Sequence, residues 1–217
     1  FSCEMTADQV TRRFLSQRTA MPVNHLKDGD LDEGEWLVLM EGANKLQDLP
    51  IKINDAPSMT LRAIRTNARR EKRRLERNGQ KLRWILIDYI QLVTAEGKFA
   101  NRNEEVAYIS RSLKQLGREL GCVVIALAQL SRAVEGRADK RPTLADLRES
   151  GALEQDADVV DFLYREDYYD PETDKQNILD WIRAKSRDGA TGTVSLYFRK
   201  ELTQVRDLEI QRTNLEY

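Results

Sequence analysis

Apolar residues recur along the chain with two different periods, and each change of period marks an expected change between helix and strand. Val106, Ile109, Leu113, Leu116 and Leu120 alternate at three- and four-residue spacing and stop at Gly121, which predicts an amphipathic helix closed by a glycine. Residues 122–128 follow at once and are continuously apolar, as expected of a parallel strand buried on both faces. Residues 84–90 form a second apolar run, broken by one acid, Asp88, and a polar loop follows through Asn103. Residues 158–164 and 178–184 predict further strands, whereas 193–198 alternates and suits an edge or hairpin strand. Towards the start, residues 1–4 read as the end of a strand, and Thr6 with Gln9 matches a capping box that opens a helix to about Arg18. A second helix is predicted from Asp32 to Gln47, with Trp36, Met40 and Ala43 on one face. Residues 51–54 read as a short strand, and Thr60 caps a long helix ending near Asn78 and Gly79. This alternation predicts one α/β domain with a mostly parallel sheet flanked by helices.

Composition narrows the class. Hydrophobic residues make up 41% and charged residues 33% of the 217, as in a globular protein with a sizeable core. No apolar run reaches the ~18 residues of a membrane span and no signal-peptide order opens the chain, so a cytoplasmic location is expected. Cys3 and Cys122 lie in apolar stretches and His25 stands alone, which assembles neither a disulfide framework nor a zinc cluster. The net charge of −1 hides an asymmetry: residues 62–83 hold ten Lys or Arg against Glu71 and Glu76. Such a run is either a solvated helix face or a track for a phosphate backbone.

Several residues carry candidate chemistry. Asp88 closes a buried strand on the edge where open α/β sheets bind ligands, as a Walker B carboxylate holding hydrated Mg2+ does. Gln129 ends the next strand on the same edge, where an amide can sense a terminal phosphate. Glu4 is placed to orient or deprotonate an attacking water. Lys185 and Arg187 lie two apart at a strand end, so both can face one side of the sheet and act as a trans finger pair. Arg148 and the amides near Gly151 sit in a long polar loop suited to phosphates. Each pattern taken alone also fits an ordinary loop, cap or solvated charge.

Taken together, residues 1–5, 87–92, 109–114, 125–132, 139–142, 146–158 and 184–194 resemble the DnaB family of replicative helicases in order and spacing. The resemblance covers about 200 residues, and the Leu147 to Gly151 segment is its most specific part. It implies a RecA-like fold, a homohexameric ring, and hydrolysis of ATP or another NTP with Mg2+ to pull single-stranded DNA through a channel. It also implies primase and loader partners, engaged through regions outside this chain. By position Glu4 looks like the catalytic carboxylate, Asp88 the Walker B acid, Gln129 the phosphate sensor, and Lys185 with Arg187 the trans-acting pair. Arg148, Glu149 and Gly151 match the loop that follows the DNA backbone in that family.

One departure stands out: Gly-x-x-x-x-Gly-Lys-[Ser/Thr] is missing, and Gly97-Lys98 is followed by Phe99 in the wrong place. In the family this phosphate-binding loop precedes the segment matching residues 1–5, so the sheet is expected to be incomplete on its N-terminal side. The chain by itself is therefore expected to be inactive in hydrolysis. Two alternatives remain open at this point: an inactive remnant that binds DNA or helicase subunits, and a recombination- or clock-type RecA-like ATPase.

Overall fold

The computed structural model describes residues 1–208, without the side chains of 148–150. It divides into two compact units, Phe1–Thr11 with Pro50–Asp158, and Arg12–Leu49 with the chain from Val159 onward.

The first unit is built on a parallel pair, β1 (Trp84–Ile87) and β2 (Val123–Ala126), in the register Ile85 with Val124 and Ile87 with Ala126. Helix α4 (Leu61–Arg77) and helix α5 (Arg102–Leu120) contribute Leu61, Ile64, Ala68, Ile109, Leu113, Leu116 and Leu120 to a core that closes over Ile85 and Ile87. Burying each such aliphatic chain contributes about 1.5–3 kcal/mol. The side chains of Thr60 and Asn101 accept the N–H groups of Ala63 and Glu104 and so cap the two helices, and Gly121 ends α5 in the left-handed conformation, φ 63°. Close approach of α5 to β2 favours glycine at 117, because a Cβ there would lie 3.1 Å from the Cys122 carbonyl oxygen. After β2 the chain continues into α6 (Gly151–Asp156).

The second unit is an antiparallel sheet, β3 (Val159–Tyr164), β4 (Ile178–Ser186), β5 (Gly192–Arg199) and β6 (Gln204–Asp207), in that spatial order. Helices α2 (Val23–Asp28) and α3 (Glu33–Gln47) belong to it, and α1 (Ala7–Thr19) straddles the boundary in sequence. Asp32 and Glu35 form a full capping box on α3.

Most predicted elements are present, and the α/β class holds, but three expectations are corrected. Among the described residues parallel pairing is confined to β1 and β2 and two isolated bridges; the five-residue turn from β4 to β5, for one, is short enough to permit only a hairpin. Strand β2 is not buried on both faces: Val123, Ile125 and Leu127 are exposed, as are Trp84 and Leu86 beside them. Residues 51–54 form no strand; they meet residue 2 through a single bond, from the Ser2 N–H to the Asn54 carbonyl, and the chain bends away directly after Ser2. The face of α3 that carries Trp36, Met40 and Ala43 is exposed, and α3 buries only Gly42, against Thr19. Helix α2 and strand β6 escape the periodicity because each is too short to show one. Among the described residues no helix is long and apolar enough to cross a membrane.

Candidate nucleotide site

Asp88 directly follows β1 and is half-buried. Its backbone is fixed on one side by residues 1–3: its N–H donates to the Phe1 carbonyl at 2.9 Å, and its carbonyl accepts from Cys3 at 2.6 Å. The Ser2–Asp88 bridge is parallel but isolated, so the expected strand end shrinks to one bridge at Ser2 followed by a bend, and Glu4, exposed, lies two residues past the bridge to Asp88. The Asp88–Tyr89 peptide is cis. Burial pushes the Cys3 thiol above its ordinary value and the Asp88 carboxylate adds to this, so Cys3 remains a neutral thiol packed against the core.

On the other side, the Leu127 N–H donates to the Ile87 carbonyl and the Ile90 N–H to the Leu127 carbonyl, both at 2.9 Å. The two strands thus end level, and Gln129 emerges exposed on the same edge as Asp88. A residue not singled out in the sequence ties them together. The Gln91 side-chain amide donates to the Gln129 carbonyl at 2.9 Å and accepts from the Gln129 N–H at 3.1 Å. Arg102 holds the Gln91 and Val93 carbonyls at 2.6 Å each, and pairs with Glu105. Glu105 is held below the usual carboxylate range chiefly by the Ala95 N–H. A glutamine three residues past a strand-end acid carries no periodic signal, so only the fold reveals it.

The segment after Gln129 is anchored by another pair outside the predicted set. Asp146, buried, accepts both Arg137 guanidinium nitrogens at 3.0 and 2.9 Å, the Thr143 N–H at 2.7 Å and the Thr143 hydroxyl at 3.0 Å. Burial alone would raise its pKa, but these four donors outweigh that and lower it. Its carbonyl also accepts the Ser131 N–H, which returns the segment to within two residues of Gln129. A 3-10 turn over Leu144–Ser150 then runs into Gly151, at φ −51°, the first residue of α6. The side chains of Arg148 and Glu149 lie outside those described.

Lys185 lies near the end of β4, opposite Val160 of β3, and Arg187 begins the turn to β5; both belong to the second unit. The structure therefore brings Asp88 and Gln129 to one strand edge, with Glu4 two residues past the Ser2 bridge, and places Lys185 and Arg187 on another unit. Among the described residues no group of three or more His, Cys, Asp or Glu could hold a metal ion. One half-buried carboxylate at a strand end fits Mg2+ kept largely by water and phosphate, not a cage of protein ligands.

A parallel strand pair that ends level at Asp88 and Gln129, with helices packed against it, belongs to a RecA-like α/β fold. The family model described as DnaB-like helicase C-terminal domain matches residues 1–207, and the chain belongs to that family. It is 47% identical over 210 residues to the replicative DNA helicase DnaC of Bacillus subtilis, and 46% identical to the replicative DNA helicase DnaB of Geobacillus stearothermophilus. Each comparison covers 96% of this chain but 45% of the relative, so the chain spans about half the length of the curated relatives it matches. Among solved structures, one described as an ATPase domain aligns with a TM-score of 0.90 at 41% identity, covering 96% of this chain and 73% of that one. A DnaB-like replicative helicase, described with its interactions with primase, aligns at 0.89 and 41% identity, covering 96% of this chain and 49% of that one.

Proposed function

We propose that the chain forms most of a single RecA-like motor domain in a replicative helicase that couples ATP hydrolysis to movement along single-stranded DNA as a homohexameric ring. The observation that carries this reading is the shared strand edge of Asp88 and Gln129, locked together by the Gln91 amide. When bound, ATP with Mg2+ supplies the phosphoryl bond whose hydrolysis drives the motor. Asp88 orients hydrated Mg2+, Glu4 activates the attacking water, and Gln129 hydrogen-bonds the terminal phosphate. Lys185 and Arg187 neutralise charge on a neighbouring subunit's nucleotide. Arg148, Glu149 and Gly151 follow the DNA backbone, on a segment braced by Arg137 and Asp146. Primase and a loader engage regions outside this chain, and the assembly works in the cytoplasm.

The reading is tested with the full-length protein that carries this chain. Asp88→Ala and Gln129→Ala are each expected to lower DNA-stimulated ATP hydrolysis by at least about 10²-fold, the scale of losing one group aimed at developing charge. Normal turnover in the Asp88→Ala protein would overturn it.

A further inference from the structure

The basic helix does more than present a solvated face. Arg62, Arg65, Arg69 and Arg73 recur at three- and four-residue spacing, so they form one stripe along α4. The first three, together with Thr66 of α4, Tyr108 of α5 and the loop residue Glu96, line a cleft of about 470 Å³.

The charges along this cleft are unevenly matched. Arg69 forms a two-pronged pair with Glu119, at 2.7 and 2.8 Å. Arg62 reaches Glu96 only at 3.5 Å, and both side chains are largely exposed, so that pair is easily displaced. Between them Arg65 has no acidic partner within salt-bridge distance among the described residues, and its Nε is buried with no hydrogen-bond acceptor. Arg70, Arg73 and Arg77 likewise lack an acid partner among the described residues; Arg70 meets only the Asn67 amide and Arg73 only the Arg69 carbonyl. Glu71 and Glu76 are already engaged by Arg74, Lys52 and Lys72. The helix therefore keeps a row of guanidinium groups short of anions, and Arg65, half-buried, lines the same cleft as the exposed ring of Tyr108.

Guanidinium forks match phosphate oxygens, and an aromatic ring beside them offers a stacking face that accepts any base. We infer that the α4 cleft binds the backbone of single-stranded nucleic acid, with a phosphate on Arg65 between Arg62 and Arg69, a base against Tyr108, and Arg73 continuing the track. This contact is separate from the loop of Arg148 to Gly151. It rests on the reading of the protein as acting on single strands, but it assigns a different surface.

The test uses the full-length protein and a fluorescein-labelled oligothymidylate, with anisotropy measured across a series of salt concentrations. Arg65→Ala is expected to weaken binding several-fold and to reduce the slope of log affinity against log salt by about 0.7 to 1, the signature of one lost phosphate contact. Arg65→Lys is expected to retain the slope. Thr66→Glu sets a carboxylate at an exposed position in the cleft, so it serves where Arg65→Ala does not fold, and it is expected to weaken binding in the same direction. Unchanged affinity and slope in Arg65→Ala and Thr66→Glu, with strong binding by the unsubstituted protein, would overturn the cleft alone. No strand binding by the unsubstituted protein would overturn the wider reading as well. Inorganic phosphate displacing the oligonucleotide more strongly than chloride at equal ionic strength, and no longer doing so in Arg65→Ala, would identify a small-anion site and refute the strand assignment.

Discussion

At the scale of single residues, the Gln91 amide and the Asp146 carboxylate anchor the segments around Gln129. Gln91 holds both backbone groups of Gln129, which lies exposed, so losing that clamp costs little stability but lets the strand end that carries Gln129 wander. Gln91→Leu in the full-length protein is expected to leave the melting temperature within a few degrees of the original while lowering hydrolysis by roughly 10- to 100-fold, as small misplacements of reacting groups do. A steady-state ATPase assay beside a thermal melt separates the two effects. In the second unit, Asp167 is buried and ionised. Burial alone would raise its pKa, but Lys200 at 2.7 Å, Arg165 at 3.0 Å and the Asn177 N–H at 3.0 Å outweigh that and lower it to about 2. A carboxylate depressed on folding contributes stability that is present above its unfolded value of about 3.9 and is lost as pH falls through about 2, here about 2–3 kcal/mol. Melting curves between pH 7 and pH 2.5 are expected to show this loss, and Asp167→Asn to flatten it.

At the scale of elements, the capped and terminated helices are the part of the fold most legible in sequence. The apolar spacing of α5, its Asn101 cap and Gly121 stop all act within one helix, so local chemistry dictates them. Gly121→Ala is expected to destabilise the protein by about 1 kcal/mol, because alanine resists the left-handed conformation. Gly117→Ala is expected to cost about 1–3 kcal/mol despite alanine's better helix propensity, since the added methyl meets backbone that cannot rotate away. Urea unfolding of both variants checks the pair. Strand ends are legible too: Asp88 and Gln129 each close an apolar run, and the level ending of two parallel strands puts them on one edge. What sequence does not carry is partner choice. Nothing near Gln91 points to residue 129, nothing near Asp146 points to Arg137, and the direction of β3 to β6 follows from their connections, not from their own composition.

At the scale of the whole molecule, apolar periodicity overstates burial. Trp84, Leu86, Val123, Ile125 and Leu127 form an uncovered face on the parallel pair, while Leu163, Trp181, Val194 and Val205 do the same on the antiparallel sheet. Contiguous exposed apolar surface of this kind binds hydrophobic dyes and promotes association. The 217-residue chain is expected to enhance the fluorescence of anilinonaphthalene sulfonate in its folded state, and the full-length protein to do so less per motor domain; equal enhancement would show that these faces stay uncovered.

The central claim is that Asp88 and Arg187 serve one reaction from two subunits. The most direct measurement is DNA-stimulated ATP hydrolysis by mixtures of full-length Asp88→Ala and Arg187→Ala proteins, after exchange of subunits. Each variant alone is predicted to be inactive, and mixing to restore partial activity that peaks near equal amounts, where intact Asp88 and intact Arg187 meet across some boundaries. Inactivity at every ratio, with subunit exchange verified by fluorescence transfer, would contradict it.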